Sequence, residues 1–257
     1  MNQDVLKIAA LSREAGQVIM EIYRRKEIEV TLKDDRTPLT AADRASHDLI
    51  RSGLETAFPE IPCISEEGRE VPYEERKGWR RFWLVDPLDG TREFIQRTGD
   101  FTVNIALIEE GRPVWGVVYV PATEALYFAS KEEGAWKQAG EETPIRIRVR
   151  PLPDEGIVAV ASRAHASEGD DRLLTRLAVR ERITVGSSLK FCVVAEGKAD
   201  LYPRLNPTWE WDTAAGQCVL EAAGGVVIDS GGAPLRYNKP TLKNDGFIAH
   251  SGKIDLG

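Results

Sequence analysis

The chain has 257 residues, 42% hydrophobic and 29% charged, enough to bury a full core as one large domain or two intimate halves. Its formal charge of −7 argues against sequence-independent nucleic-acid binding, which relies on Lys and Arg to neutralise phosphates, though a local basic pocket for a small anion stays compatible with it. No apolar run approaches the roughly 18 to 20 residues of a membrane span, and the opening MNQDVLKIAA has neither the basic start nor the cleavage site of a secretory signal.

From 5 to 23, Val5, Ile8, Ala9, Ala15, Ile19, Ile22 and Tyr23 recur mostly every three or four residues, which predicts an amphipathic helix. Thr40 caps a second predicted helix through Ala45, Leu49 and Leu54, ending near Phe58-Pro59. The period then changes. Strands are expected at 82–85, 103–108, 114–120 and 125–129, with an edge strand at 145–149. Beyond Pro151-Leu152-Pro153 come a strand at 157–161, a helix at 172–178, a strand near Ile183 and a helix at 187–196. A helix at 211–223 and strands at 226–228 and 247–249 close the chain. Helices first, an antiparallel run next and α/β alternation last suggest two stacked sheet-and-helix layers, split as 1–150 and 151–257. No repeat or low-complexity segment is visible. Cys63, Cys192 and Cys218, an odd number without close pairing, suit isolated reduced thiols, so a cytoplasmic protein is expected.

The informative segment is Trp83-Leu84-Val85-Asp86-Pro87-Leu88-Asp89-Gly90-Thr91. An apolar strand runs into two carboxylates, with Pro87 and Gly90 expected to force a turn that leaves both at the strand's end. Hard cations such as Mg²⁺ take oxygen ligands and keep positions for water and phosphate. The plain alternative is that Asp-Pro and Asp-Gly are turn formers. Likewise, Ser65-Glu66-Glu67-Gly68 reads alone as a solvated acidic loop, and Asp212 in Glu210-Trp211-Asp212-Thr213 as a first-turn acid that complements a helix dipole.

Taken together, Asp86-Pro87-Leu88-Asp89-Gly90-Thr91, Trp211-Asp212 and Gly224-Gly225 resemble the paired signatures of the inositol monophosphatase superfamily of lithium-sensitive, Mg²⁺-dependent phosphatases. The likeness runs from Lys33 to about Gly225 and takes in Pro38-Leu39-Thr40-Ala41-Ala42-Asp43 and Ser65-Glu66-Glu67. Within the superfamily it is nearer to the 3'(2'),5'-bisphosphate nucleotidases of the CysQ type. Ser162-Arg163-Ala164-His165, Gly186-Ser187-Ser188-Leu189-Lys190-Phe191-Cys192, Ala195-Glu196-Gly197 and Leu201-Tyr202-Pro203-Arg204 carry this, with Lys190 decisive.

The resemblance implies a layered αβαβα sandwich and hydrolysis of adenosine 3',5'-bisphosphate to AMP and phosphate. Glu66, Asp86 and the Leu88 carbonyl would hold one Mg²⁺, and Asp86, Asp89 and Asp212 a second, with room for a third near Glu66. Thr91 paired with Asp43 would activate the attacking water. Glu66, Leu88, Asp89, Gly90, Thr91 and Asp212 would also face the substrate, a short helix from Gly90-Thr91 to Phe94 offering its N–H groups to the scissile phosphate. Lys190, Arg204, Ser187 and His165 would meet the second phosphate and nucleoside, and Lys33 and Asp35 would belong to a loop near the metals. The resemblance further implies a role in clearing the by-product of sulfate activation. It leaves the oligomeric state and any peripheral contact with the inner membrane open.

Two rivals stand beside this reading. One is another phosphatase of the superfamily, acting on inositol monophosphate, a sugar phosphate or NADP. The other is a non-catalytic metal- or nucleotide-binding protein, which would have no need of a water-activating pair. A Walker-type NTPase lacks its Gly-rich Lys-Ser/Thr segment here, and His47, His165 and His250 do not pair at zinc-ligand spacing.

Overall fold

A computed structural model describes residues 2–32, 38–162, 167–252 and 254. The apolar stripe of the first segment forms α1 (Gln3–Tyr23), whose Asn2 side chain accepts from the N–H groups of Asp4 and Val5. The strand pair β1 (Val30–Leu32) and β2 (Pro38–Thr40) leads into α2 (Ala41–Ala57), where Thr40 and Asp43 form a reciprocal capping box. Then come β3 (Cys63–Ser65), the single turn α3 (Tyr73–Arg76), β4 (Arg81–Asp89), α4 (Thr91–Ile95), β5 (Thr102–Glu109), β6 (Arg112–Val120), β7 (Ala125–Ser130), β8 (Gly134–Ala139) and β9 (Ile145–Ile147). The rest of the chain holds β10 (Val158–Ser162), α5 (Glu168–Arg176), β11 (Glu181–Val185), α6 (Leu189–Ala195) and β12 (Leu201–Arg204). It ends with β13 (Thr208–Trp209), α7 (Glu210–Ala222), β14 (Val226–Asp229), β15 (Lys243–Asn244) and β16 (Phe247–His250).

Strands β3 to β9 form a seven-stranded sheet in chain order, parallel between β3 and β4 and antiparallel elsewhere. A five-stranded sheet has the order β11-β10-β12-β16-β14. The large sheet is buried on both faces, so its strands read as continuous apolar runs whose alternate residues enter different cores. Trp83 and Val85 pack with Ile8, Ile19 and Ile50 of α1 and α2. Phe82 and Leu84 face the opposite cluster, which contains Phe191 of α6, Val219 of α7, and Val160 and Phe247 of the small sheet. A third cluster sets Leu174 of α5 against Ala159 and Leu201 on the far side of the small sheet.

The layers are therefore α1/α2, large sheet, α6/α7, small sheet and α5: the expected αβαβα sandwich. Close approach of α6 and α7 depends on Gly216, where a Cβ would stand 2.4 Å from the Phe191 ring. The three cysteines are free thiols. No helix among the described residues is long and apolar enough to cross a membrane.

Candidate active site

Strand β4 carries both central aspartates. Its register against β5 is regular down to the pair Asp86 and Asn104, then shifts before Asp89 meets Thr102. The shift spans Pro87, which has no N–H to give to a ladder. The expected turn is thus corrected: Asp86 to Asp89 is a bulged end of the strand, with the turn deferred to Gly90. Ser46 of α2 donates to the Pro87 carbonyl at 2.8 Å, and Leu88 N–H donates to Asp86 Oδ1 at 3.1 Å. Gly90 then takes φ 91°, with the Asp100 carbonyl 3.3 Å from where a Cβ would project, and α4 begins.

Glu66 reaches the same place because β3 pairs in parallel with β4, setting Ser65 beside Val85, and Glu66 N–H donates to the Val85 carbonyl at 3.1 Å. His47 of α2 steadies this loop through Nδ1 and Ser65 Oγ, 2.9 Å apart. Asp212 stands in the first turn of α7, where its Oδ2 accepts from Trp209 N–H at 2.8 Å. Glu66, Asp86, Asp89 and Asp212 line one cavity of about 600 Å³ together with Leu88, Gly90, Thr91, Ser187, Lys190 and Arg204. Asp43 stands behind this wall: Thr91 Oγ1 donates to its Oδ1 at 3.1 Å and reaches the Leu88 carbonyl at 3.4 Å. His165, Lys33 and Asp35 lie outside the described residues.

Crowded carboxylates set the electrostatics. Burial raises the carboxyl of Asp86 well above the ordinary range, and the charges of Glu66, Asp89 and Asp212 raise it further. Asp212 is raised by burial and then by Asp89 and Glu66, against the pull of Trp209 N–H and Arg204. Asp89 is pushed up by burial to about 6, while Lys190 and the Ser188 N–H hold it down. Burial brings the Lys190 ammonium down to about 8, with Asp89 opposing and Arg204 adding to the effect. Asp43 is raised by burial, against hydrogen bonds from Thr40 and Thr91.

The donor chemistry suits a hard divalent cation: all four side chains present oxygen, and the Asp86 and Glu66 carboxyl groups are in hydrogen-bonding contact, a pairing that needs positive charge or a proton between them. The carboxylates do not yet close on one point. Among the described residues no three His, Cys, Asp or Glu side chains are drawn together tightly enough to hold an ion. Asp89 and Asp212 each hold one oxygen, Oδ2, against a backbone N–H, that of Ser188 at 2.5 Å and that of Trp209 at 2.8 Å.

Several residues at the site were not anticipated. Trp209 and Lys243 line the cavity, the Trp209 ring stacked 5.0 Å from Trp211 with the Lys243 ammonium 4.8 Å from its centroid. Ser188 also lines the cavity, and Thr102 and Asn104 lie behind Asp89. The signal for Thr102 and Asn104 is readable in retrospect: polar side chains two apart within the otherwise apolar run Phe101-Thr102-Val103-Asn104-Ile105.

The inositol monophosphatase family model matches residues 1–255. The 3'(2'),5'-bisphosphate nucleotidase CysQ of Escherichia coli K12 is 47% identical over 244 residues, covering 94% of this chain and 97% of that protein. Its Salmonella typhimurium counterpart is 46% identical over 243 residues, with the same coverage. Among solved structures, CysQ from Bacteroides thetaiotaomicron superposes with a TM-score of 0.87 at 40% identity, covering 98% of each chain. The Thermotoga maritima inositol monophosphatase gives 0.79 at 26% identity, covering 98% of this chain and 93% of that one. By the family model and by relatives matched over nearly their whole length, this chain belongs to the inositol monophosphatase family.

Proposed function

We propose that the chain is a Mg²⁺-dependent 3'(2'),5'-bisphosphate nucleotidase that hydrolyses adenosine 3',5'-bisphosphate to AMP and phosphate. The observation that carries this is that the carboxylates Glu66, Asp86, Asp89 and Asp212 share one cavity with the cations Lys190 and Arg204. A substrate with two phosphates matches that combination of metal-binding carboxylates and extra cations, and similarity over 94% of the chain to nucleotidases of this activity supports it.

Glu66, Asp86 and the Leu88 carbonyl would hold one ion, Asp86, Asp89 and Asp212 a second, with a third near Glu66. Divalent cations bound there supply Lewis acidity to the phosphoryl group and to the leaving oxygen. Thr91 uses its one hydroxyl proton on Asp43, so its oxygen lone pairs can accept from a water molecule in the cavity, and Asp43, its proton affinity raised by burial, takes the proton onward. No side chain caps α4 at Gly90, so the N–H groups of its first turn suit a phosphoryl oxygen. Lys190 and Arg204 receive the second phosphate. Arg204 lines the cavity, where its guanidinium offers an anion charged donors. By the family resemblance, Ser187 and His165 would meet the nucleoside.

The deciding experiment measures phosphate release from adenosine 3',5'-bisphosphate, inositol 1-phosphate, fructose 1,6-bisphosphate and NADP, with Mg²⁺ present and then chelated. Preference for the nucleotide bisphosphate and loss of turnover on chelation are expected. A preference for inositol phosphate would move the chain to the other branch of the family, and binding without turnover would leave it a sensor.

A further inference from the structure

Asp89 is held by residues from a strand and a helix remote in sequence. Ser188, 99 residues away and immediately before α6, gives its backbone N–H to Asp89 Oδ2 at 2.5 Å. Its side-chain hydroxyl enters a buried network with β5: Ser188 Oγ donates to Asn104 Oδ1 at 2.7 Å, and Thr102 Oγ1 lies 2.9 Å from Ser188 Oγ. A hydroxyl has one proton. With that of Ser188 spent on Asn104, Thr102 must be the donor in its own contact, so the bonds run from Thr102 through Ser188 to Asn104. The Asn104 amide Nδ2 in turn stands 3.4 Å from Asp89 Oδ2.

The relay ends on Asp89 Oδ2, which faces both the Asn104 amide and the Ser188 N–H. Thr102, Asn104 and Ser188 are 0%, 1% and 2% exposed, so water does not compete for their bonds. Thr102 and Asn104 are also the cross-strand partners of Asp89 and Asp86, which ties the network to the bulge that presents both carboxylates. On the other side, Ser187 has left-handed backbone at φ 48°, rare for a residue with a side chain, and its carbonyl accepts from Lys190 Nζ at 2.5 Å. Consecutive residues of one turn therefore hold the cation that meets substrate and the carboxylate that meets metal.

We propose that Thr102, Asn104 and Ser188 are positioning residues that fix the Asp89 carboxylate for metal binding. The inference rests on reading Asp89 as a metal ligand, and it adds that the ligand's orientation is set by α6 and β5. Partners behind a ligand characteristically cost about 10- to 100-fold in metal affinity when removed.

The test is titration of the metal-free chain with Mg²⁺ alone, followed by calorimetry and by the rise of Tm with added Mg²⁺. Asn104→Leu, which removes the amide facing Asp89, is expected to weaken Mg²⁺ binding by about 10- to 100-fold; Thr102→Val, nearly isosteric and acting through Ser188, by about fivefold to tenfold, and Thr102→Ser, which keeps the hydroxyl, to restore it. Ser12→Ala is the control: it deletes a buried hydroxyl that donates to Ala9 O at 2.8 Å in α1, and it should lower Tm and leave Mg²⁺ affinity alone. Should Asn104→Leu fail to fold, the Thr102→Val and Thr102→Ser pair decides. A loss under about fivefold in Thr102→Val, or a Thr102→Ser chain as weak as Thr102→Val, overturns the proposal. If the unmodified chain gives no Mg²⁺ isotherm, the metal reading itself fails, and the proposal with it.

Discussion

Thr91 Oγ1 and Asp43 Oδ1 are 3.1 Å apart although 48 residues separate them in sequence. The contact joins the start of α4 to the start of α2, and Asp43 serves at once as helix cap and as the acceptor behind the cavity wall. Thr91→Val removes the hydroxyl and leaves the cap intact. It should lower kcat by about 10²- to 10⁴-fold with a small change in Tm and KM. A rate within threefold of the parent would detach this pair from proton transfer.

Asp89→Asn and Asp212→Asn should each abolish phosphate release while circular dichroism still shows a folded chain. Chelation of the unmodified protein should match them, and added Mg²⁺ should rescue only the unmodified protein. Full turnover in either variant would mean the cations bind elsewhere.

The metal-free chain should lose stability as pH rises. Burial pushes the Asp89 carboxyl up to about 6, and Asp86 and Asp212 are raised as well. The folded state therefore holds more protons than the unfolded state above the unfolded carboxyl range, and ΔG of unfolding falls with pH through that window. In chelator, Tm should be higher near pH 5 than near pH 7.5. Mg²⁺ should narrow the difference, and Asp86→Asn should raise Tm at pH 7.5. A Tm that climbs across this interval would contradict the crowding of these carboxylates.

Lys190→Met keeps the length of a buried side chain and deletes its charge. KM for adenosine 3',5'-bisphosphate should rise by about 10- to 100-fold, the usual worth of a hydrogen bond to a charged group, with a smaller change for a substrate bearing a single phosphate. Equal losses on both substrates would place Lys190 at the scissile phosphate instead.

Arg150 in the linker between β9 and β10 donates to Asp200 at 2.8 and 2.7 Å, and Asp200 is 0% exposed. Arg150→Met takes both guanidinium bonds from that carboxylate and should cost about 1.5 to 3 kcal/mol, checked by urea unfolding. A cost below about 1 kcal/mol would show that the Val158 N–H bond to Asp200 suffices alone.

The sequence displayed the periodic helices and apolar strands because their signals are local. Val5 to Tyr23 repeats its own period, and Asp86 through Thr91 is an uninterrupted string. What stayed hidden depended on pairing at a distance. β12 carries Pro203, which reads as a breaker, yet it pairs with β16 through Leu201 to Arg204. β3 is three residues long, too short to announce itself, although it delivers Glu66. Nothing local foretells that the Ser188 N–H faces a carboxylate 99 residues away in sequence. Pro87 suggested a turn by its chemistry and proved to be a strand bulge, because the flanking apolar residues have two cores to fill.

The apolar cluster around α6 and α7 draws Phe82 and Leu84 from one end of the chain and Val160 and Phe247 from the other. Neither fragment of a protein cleaved near Pro151 could therefore complete that interior by itself. Catalytic competence would appear only when both pieces condense together, and a nick in this linker should be tolerated far better than separation of its two products.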